Sequence, residues 1–141
     1  MAGWNQEVYY SMLQAAGCRW KLDGTFPVDA YLRAYNYRPS RSEAIYEVVR
    51  YYRLDKQYHL SYMLGKVGVE IPPTKDALFV QKDIEEWRMT DELAISAYWI
   101  GEYKESIDLC DKLLSNGKLP EREVERVKLN KRYAVRELAK Q

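Results

Sequence analysis

The sequence predicts an all-α protein built from helix hairpins, and three observations carry that prediction. Apolar residues recur at i, i+3, i+4 and i+7 in one stretch after another, the period of a helix with one buried face. No alternating strand pattern of comparable length appears. Two hairpin-sized segments align with each other at a fixed offset. At 141 residues the chain suits a single domain with its own core.

The elements follow in order. Val8/Tyr9, Met12, Leu13 and Ala16 share one helical face, and Gly17 is expected to end that run. Pro27 opens a second helix, where its missing N–H costs nothing. Val28, Tyr31, Leu32 and Tyr35 form its stripe, and Pro39 stops it. Ser40 and Glu43 read as a capping box for a third helix bearing Ile45, Val48, Val49 and Tyr52. A fourth begins near Gln57, with Tyr58, Ser61, Tyr62, Gly65 and Val69 on one side, and ends at Pro72-Pro73. Leu78-Phe79-Val80 reads as an extended apolar plug. A long helix runs from Asp83, its N-cap, through Trp87, Leu93, Ala97 and Ile100 to Gly101. The sixth carries Tyr103, Ile107, Cys110 and Leu114 and closes at Asn116-Gly117, a left-handed C-cap. Pro120 opens the last helix, with Glu121 and Glu123 in its first turn and Lys140 in its last, as the helix dipole favours. The expected units are hairpins at 4–38, 40–73 and 83–116 and a capping helix at 120–139.

Setting Tyr58 on Tyr103, an offset of 45 residues, brings Ile45-Tyr46-x-Val48-Val49-x-x-Tyr52 onto Thr90-Asp91-x-Leu93-Ala94-x-x-Ala97. Ser61 then falls on Ser106 and Gly65 on Cys110. Small residues at these positions mark where paired helices must approach closely.

Two helices, a Gly-x-Tyr turn (Gly101–Tyr103), small packing residues and a closing proline resemble a tetratricopeptide (TPR) array. That array's usual period is ~34 residues. "PTKDALFVQKDIEEWRM" lengthens the connection here, Lys56 stands at the turn glycine and Ala97 at the usual tyrosine. The order Arg38-Pro39-x-Arg41-x-Glu43-Ala44, Ile71-Pro72, Leu78-Phe79-Val80, Asp91-Glu92-Leu93-Ala94, Leu119-Pro120 is more specific. It resembles the TPR-like helical region attached to bacterial and viral family-2 glycosyltransferases. The resemblance implies a right-handed helical repeat of three hairpins plus a capping helix. It also implies a non-catalytic portion, or partner, of such an enzyme, because the catalytic part of that family is a separate α/β domain. Asp83-Ile84-Glu85 is only a weak echo of its Asp-x-Asp metal motif.

Composition removes other classes. A formal net charge of +1 gives no global field for nucleic acid. One histidine, His59, and two distant cysteines, Cys18 and Cys110, leave little material for zinc sites or Ser-His-Asp triads. Cys110 reads as a small buried hydrophobe. Without a signal-peptide pattern, a cytoplasmic protein with reduced thiols is expected, and no apolar run reaches the ~20 residues of a membrane span. No cofactor or metal is expected. Residues 118–141 carry eight Lys/Arg against four Glu, net +4, and the rest 14 against 17, net −3. The basic end reads as the solvated cap that repeat arrays need.

"AYNYRPSRSEAIYEVVRYYR", Ala34 to Arg53, interleaves tyrosine with arginine, as single-strand nucleic-acid platforms do. Most of it is explained as architecture. Once the apolar stripe is turned inward, Tyr46, Arg50 and Arg53 remain on the other side of the third helix, and Asp91, Ile95, Tyr98 and Trp99 correspond on the fifth. These seven are expected to face a common concave groove. It would take another protein, or an extended peptide or glycan, by aromatic anchors and arginine forks. The competing readings are an RNA-binding helical repeat using the Tyr/Arg surface, and a small carboxylate enzyme using Asp83, Glu86 or Asp91. Asp91 and Glu92, adjacent on a helix, are expected to point ~100° apart, so that at most one faces the groove.

Overall fold

The computed structural model describes residues 2–141. Among them the regular elements are helices: α1 (Ala2–Asp23), α2 (Val28–Tyr37), α3 (Glu43–Leu54), α4 (Tyr58–Val69), α5 (Met89–Trp99), α6 (Tyr103–Ser115) and α7 (Glu121–Ala139). A π-helical turn, Ile84–Arg88, leads directly into α5. Each helix packs chiefly on the next in the chain, and α3 also touches α5. None is long and apolar enough to cross a membrane.

Two boundaries and one buried face differ from the sequence expectation. The first helix does not stop at Gly17. It continues to Gly24, whose left-handed φ of 73° and N–H bond to the Trp20 carbonyl (2.9 Å) close it. A lone glycine inside a helix costs only about 1 kcal/mol. Gly17 lies under the Tyr31 hydroxyl, 3.8 Å from where a Cβ would stand. The capping box does not form either. Helix α3 starts at Glu43 with Ser42, not Ser40, at its N-cap and no side-chain cap, so Glu43 stands at the first helical position rather than the third that a capping box needs. Its carboxylate is instead taken by Arg41 and by the Gln81 N–H. Finally, Leu32 leaves the α2 stripe for solvent, and Tyr31 and Ala34 carry the burial.

The two central hairpins, α3–α4 and α5–α6, hold the same bonds 45 residues apart. Ser61 Oγ donates to the Val49 carbonyl at 2.9 Å, and Ser106 Oγ to the Ala94 carbonyl at 2.8 Å. Gln57 N–H bonds Tyr52 O, and Glu102 N–H bonds Ala97 O, both at 2.8 Å. The turn residues Lys56 and Gly101 are both left-handed, at φ 61° and 89°. Small residues seat the pairs. A Cβ at Gly65 would sit 3.1 Å from Leu93 Cδ1, so glycine lets α4 close on α5. Cys110, the corresponding residue, is buried with Trp87, Ala94, Leu113 and Val127.

The connection from Pro72 to Gln81 is irregular rather than helical, and Leu78–Val80, expected to be extended, instead bends at Leu78-Phe79, where Phe79 is left-handed. It is strapped down by a buried charge network. Arg41, with no exposed surface, forks onto Glu43 (3.0 and 3.0 Å), reaches Asp76 (3.3 Å) and donates to the Phe79 carbonyl (3.2 Å). Arg38 forks onto Asp76 from the rim. Gln6 accepts the N–H groups of Ala77 and Leu78. The Tyr9 ring lies under the Arg41 guanidinium at 4.9 Å, and its hydroxyl accepts the Ala44 N–H at 2.9 Å. Phe79, held left-handed at φ 56°, stacks on Tyr10 rather than entering the core.

Candidate ligand-binding groove

Alternate helices supply one face. Residues of α1, α3, α5 and α7, with Phe26, the π turn and Ser106 of α6, line three adjoining cavities.

The first cavity, about 260 Å³, is walled by Trp20, Phe26, Tyr51 and Leu54, with Glu47, Arg50 and Asp55 at its edge. Phe26 stacks on Tyr51 (4.2 Å) and Tyr31 (4.9 Å), and Trp20 meets it edge-on. Arg50 is shared with the second cavity, about 250 Å³, which also takes in Tyr46, Arg53, Trp87, Arg88, Asp91, Glu92, Ile95, Glu123 and Arg126. Ile95 and Arg126 are shared in turn with the third, about 260 Å³. There Tyr98, Trp99 and Tyr133 form aromatic walls around Asn130.

The middle cavity is layered by charge. Arg53 forks onto Glu92 (2.6 and 2.8 Å), and Arg126 forks onto Asp91 (3.1 and 2.8 Å) while holding Glu123. Both carboxylates are buried. Burial pushes the Asp91 carboxyl above its ordinary value, with Arg126 opposing. Arg88 pairs with Asp83 (2.6 Å) and lies beside the Tyr46 hydroxyl. Burial raises the Tyr46 phenol, with Arg88 opposing. Arg50 is exposed and makes no ion pair or hydrogen bond among the described residues. Glu47, one turn before it, has its carboxyl raised by burial, with Arg50 opposing.

All seven residues expected at the groove line these cavities, but in different roles. Tyr46 is buried against Ile45, Val49, Ile84 and Met89 and forms floor rather than an anchor. Arg53 and Asp91 are engaged in ion pairs. Ile95 forms the wall between two cavities. Tyr98 meets Trp99 edge-on, and Trp99, 57% exposed, stacks on Tyr58 (5.2 Å). Asp91 and Glu92 both face the middle cavity, contrary to the expectation of at most one. Their side chains diverge, one toward α7 and one toward α3, and a cation on each flank satisfies both. Asp83, Glu86 and Asp91, the carboxylates of the enzyme reading, go to three different partners, Arg88, Lys118 and Arg126.

Sequence reasoning missed Trp20, Trp87, Arg88, Glu92, Arg126, Asn130 and Tyr133. The π turn explains Trp87 and Arg88. Met89 N–H bonds the Ile84 carbonyl five residues back, so a 3.6-residue wheel misplaces the face they occupy. Arg126 lies on a helix that reads as solvated, and nothing local signals a partner 35 residues away.

No family model matches the chain, and neither a curated protein nor a solved structure matches it.

Proposed function

We propose that this chain is a non-catalytic interaction module, a TPR-like helical repeat whose groove holds an extended segment of a partner protein. The carrying observation is the row of three side-chain-sized cavities along α1, α3, α5 and α7, apolar–charged–apolar in sequence. Aromatic pockets with arginine forks are strong anchors for an extended chain. The matched bonds of α3–α4 and α5–α6 support descent from one repeated hairpin, with α7 as the cap. The motif order around Arg38–Ala44 and Leu78–Val80 supports a setting in glycosyltransferase systems that act on glycans or polysaccharide, inside the cytoplasm. There the module positions a catalytic domain or its partner.

The RNA reading needs unpaired arginines among the tyrosines. Arg38, Arg41 and Arg53 are each committed to carboxylates, leaving Arg50 alone in that stretch. That weighs against a phosphate-tracking surface.

Site-specific photocrosslinking tests the proposal. Benzoylphenylalanine at Trp99, on the groove, is expected to trap a partner polypeptide in cells. The same group at Met63, exposed on α4, is expected not to. Equal trapping at both positions, or none at Trp99, counts against the groove.

A further inference from the structure

The charge layering of the middle cavity says what the partner segment carries, given the peptide-groove reading on which this inference rests. Two of the three lining carboxylates, Glu92 and Asp91, lie at the bottom, and the third, Glu123, keeps 23% of its side-chain surface but is held by Arg126. The Glu92 and Asp91 side chains keep 5% and 12% of their surface, whereas those of Arg53, Arg88 and Arg126 keep 26%, 37% and 37%. A ligand entering the cavity therefore meets guanidinium N–H groups, with the carboxylates screened beneath them. Donors are left over. Arg53 spends Nε and Nη2 on Glu92, Arg88 spends Nε on Asp83 and has the Tyr46 hydroxyl beside its fork, and Arg50 spends none. Planar forks with free N–H groups are built for a carboxylate. The cavity is also not a dead end, because it shares Arg50 with one aromatic pocket and Ile95 with the other. A chain crossing it continues on both sides.

We propose that the groove selects an internal Asp or Glu side chain of an extended peptide, flanked on both sides by aromatic or aliphatic residues. The acid is read by Arg50 together with the free N–H groups of Arg53 and Arg88. The flanking side chains enter the Trp20/Tyr51 and Tyr98/Trp99 pockets. A chain terminus is not the feature recognised.

Fluorescence polarisation of the full chain against labelled dodecapeptide pools tests this. The pools are acetylated and amidated, random except for a central pair fixed as Glu-Glu, Gln-Gln or Lys-Lys. The Glu-Glu pool is expected to bind about tenfold or more tighter than Gln-Gln, a gap of about 1.4 kcal/mol. Arg50→Glu, at an exposed position, is expected to erase that gap, and Trp99→Ala to weaken both pools alike. If the pools bind with equal affinity, or Lys-Lys binds best, the acidic preference is wrong while the peptide groove stands. If a free C-terminal carboxylate adds as much as the central pair, recognition is of a chain end and the proposal fails. If no pool binds and oligouridylate or a polyuronate does, the peptide-groove reading itself is wrong and takes this inference with it.

Discussion

Arg41 is the residue on which the strap depends. It is fully buried, and its removal leaves Glu43 in the interior without its cation. Arg41→Ala is expected to cost about 3–5 kcal/mol in urea denaturation, the usual range for breaking one side of a buried pair. Arg41→Lys is expected to recover little, since an ammonium cannot serve Glu43, Asp76 and the Phe79 carbonyl from one planar fork. Full recovery by lysine would mean that charge alone holds the strap. Two carboxyls give opposite pH signatures. Arg38 hydrogen bonding holds Asp76 below its ordinary 3.8. Its contribution is complete above that value and is lost as pH falls through the lower folded one. Asp76→Asn should remove this acid-side loss. Glu47, facing Arg50, Arg88, Glu92 and the Tyr31 phenol, is raised above 4.5 by burial. Stability therefore falls as pH rises from 4.5 through the folded value. Glu47→Gln is expected to stabilise the protein at neutral pH and to change nothing in acid. Denaturation across pH for each variant reads both signs. The thiols also divide. Burial pushes Cys110 up to about 11, whereas Cys18 is exposed, so Ellman's reagent should titrate Cys18 alone until denaturant is added.

At the scale of the element, the hairpin turns give the sharpest comparison. Lys56 and Gly101 occupy matching left-handed positions, and only one of them is glycine. Lys56→Gly should therefore stabilise the protein by about 1 kcal/mol, and Gly101→Lys should destabilise it by a similar amount. Equal effects of either sign would mean that the two turns are not equivalent. Helix positions were legible because their signals are local: period, proline, glycine and a left-handed Asn116-Gly117 stop, seen in Gly117 at φ 75°. The end of α1 was misread because Gly17 looks like a stop, while the true stop, Gly24, lies beyond the apolar stripe. The π turn was not legible at all. A five-residue step leaves no mark in composition, and it shows only in the Met89 N–H bond to the Ile84 carbonyl.

At the scale of the whole molecule, the seven groove residues could be chosen from sequence because the 45-residue offset maps α3 onto α5. Their division into floor, wall and rim could not, because it depends on Arg126 arriving from α7 to pair with Asp91 and on the π turn bringing Arg88 to the same cavity. Three arginines of the Tyr/Arg stretch bind the protein's own carboxylates, which is why its composition suggested a nucleic-acid surface that the fold mostly spends internally. What remains for the proposed peptide is Arg50, the outer edges of Arg53 and Arg88, and two aromatic pockets. The most direct test is an amide chemical-shift map of the labelled chain titrated with the amidated Glu-Glu pool. Shifts confined to the end of α1, α3, the π turn with α5, and the facing side of α7 are the predicted result. Shifts clustered instead on the outer faces of α2, α4 and α6, or no shifts at saturating peptide, would contradict the groove.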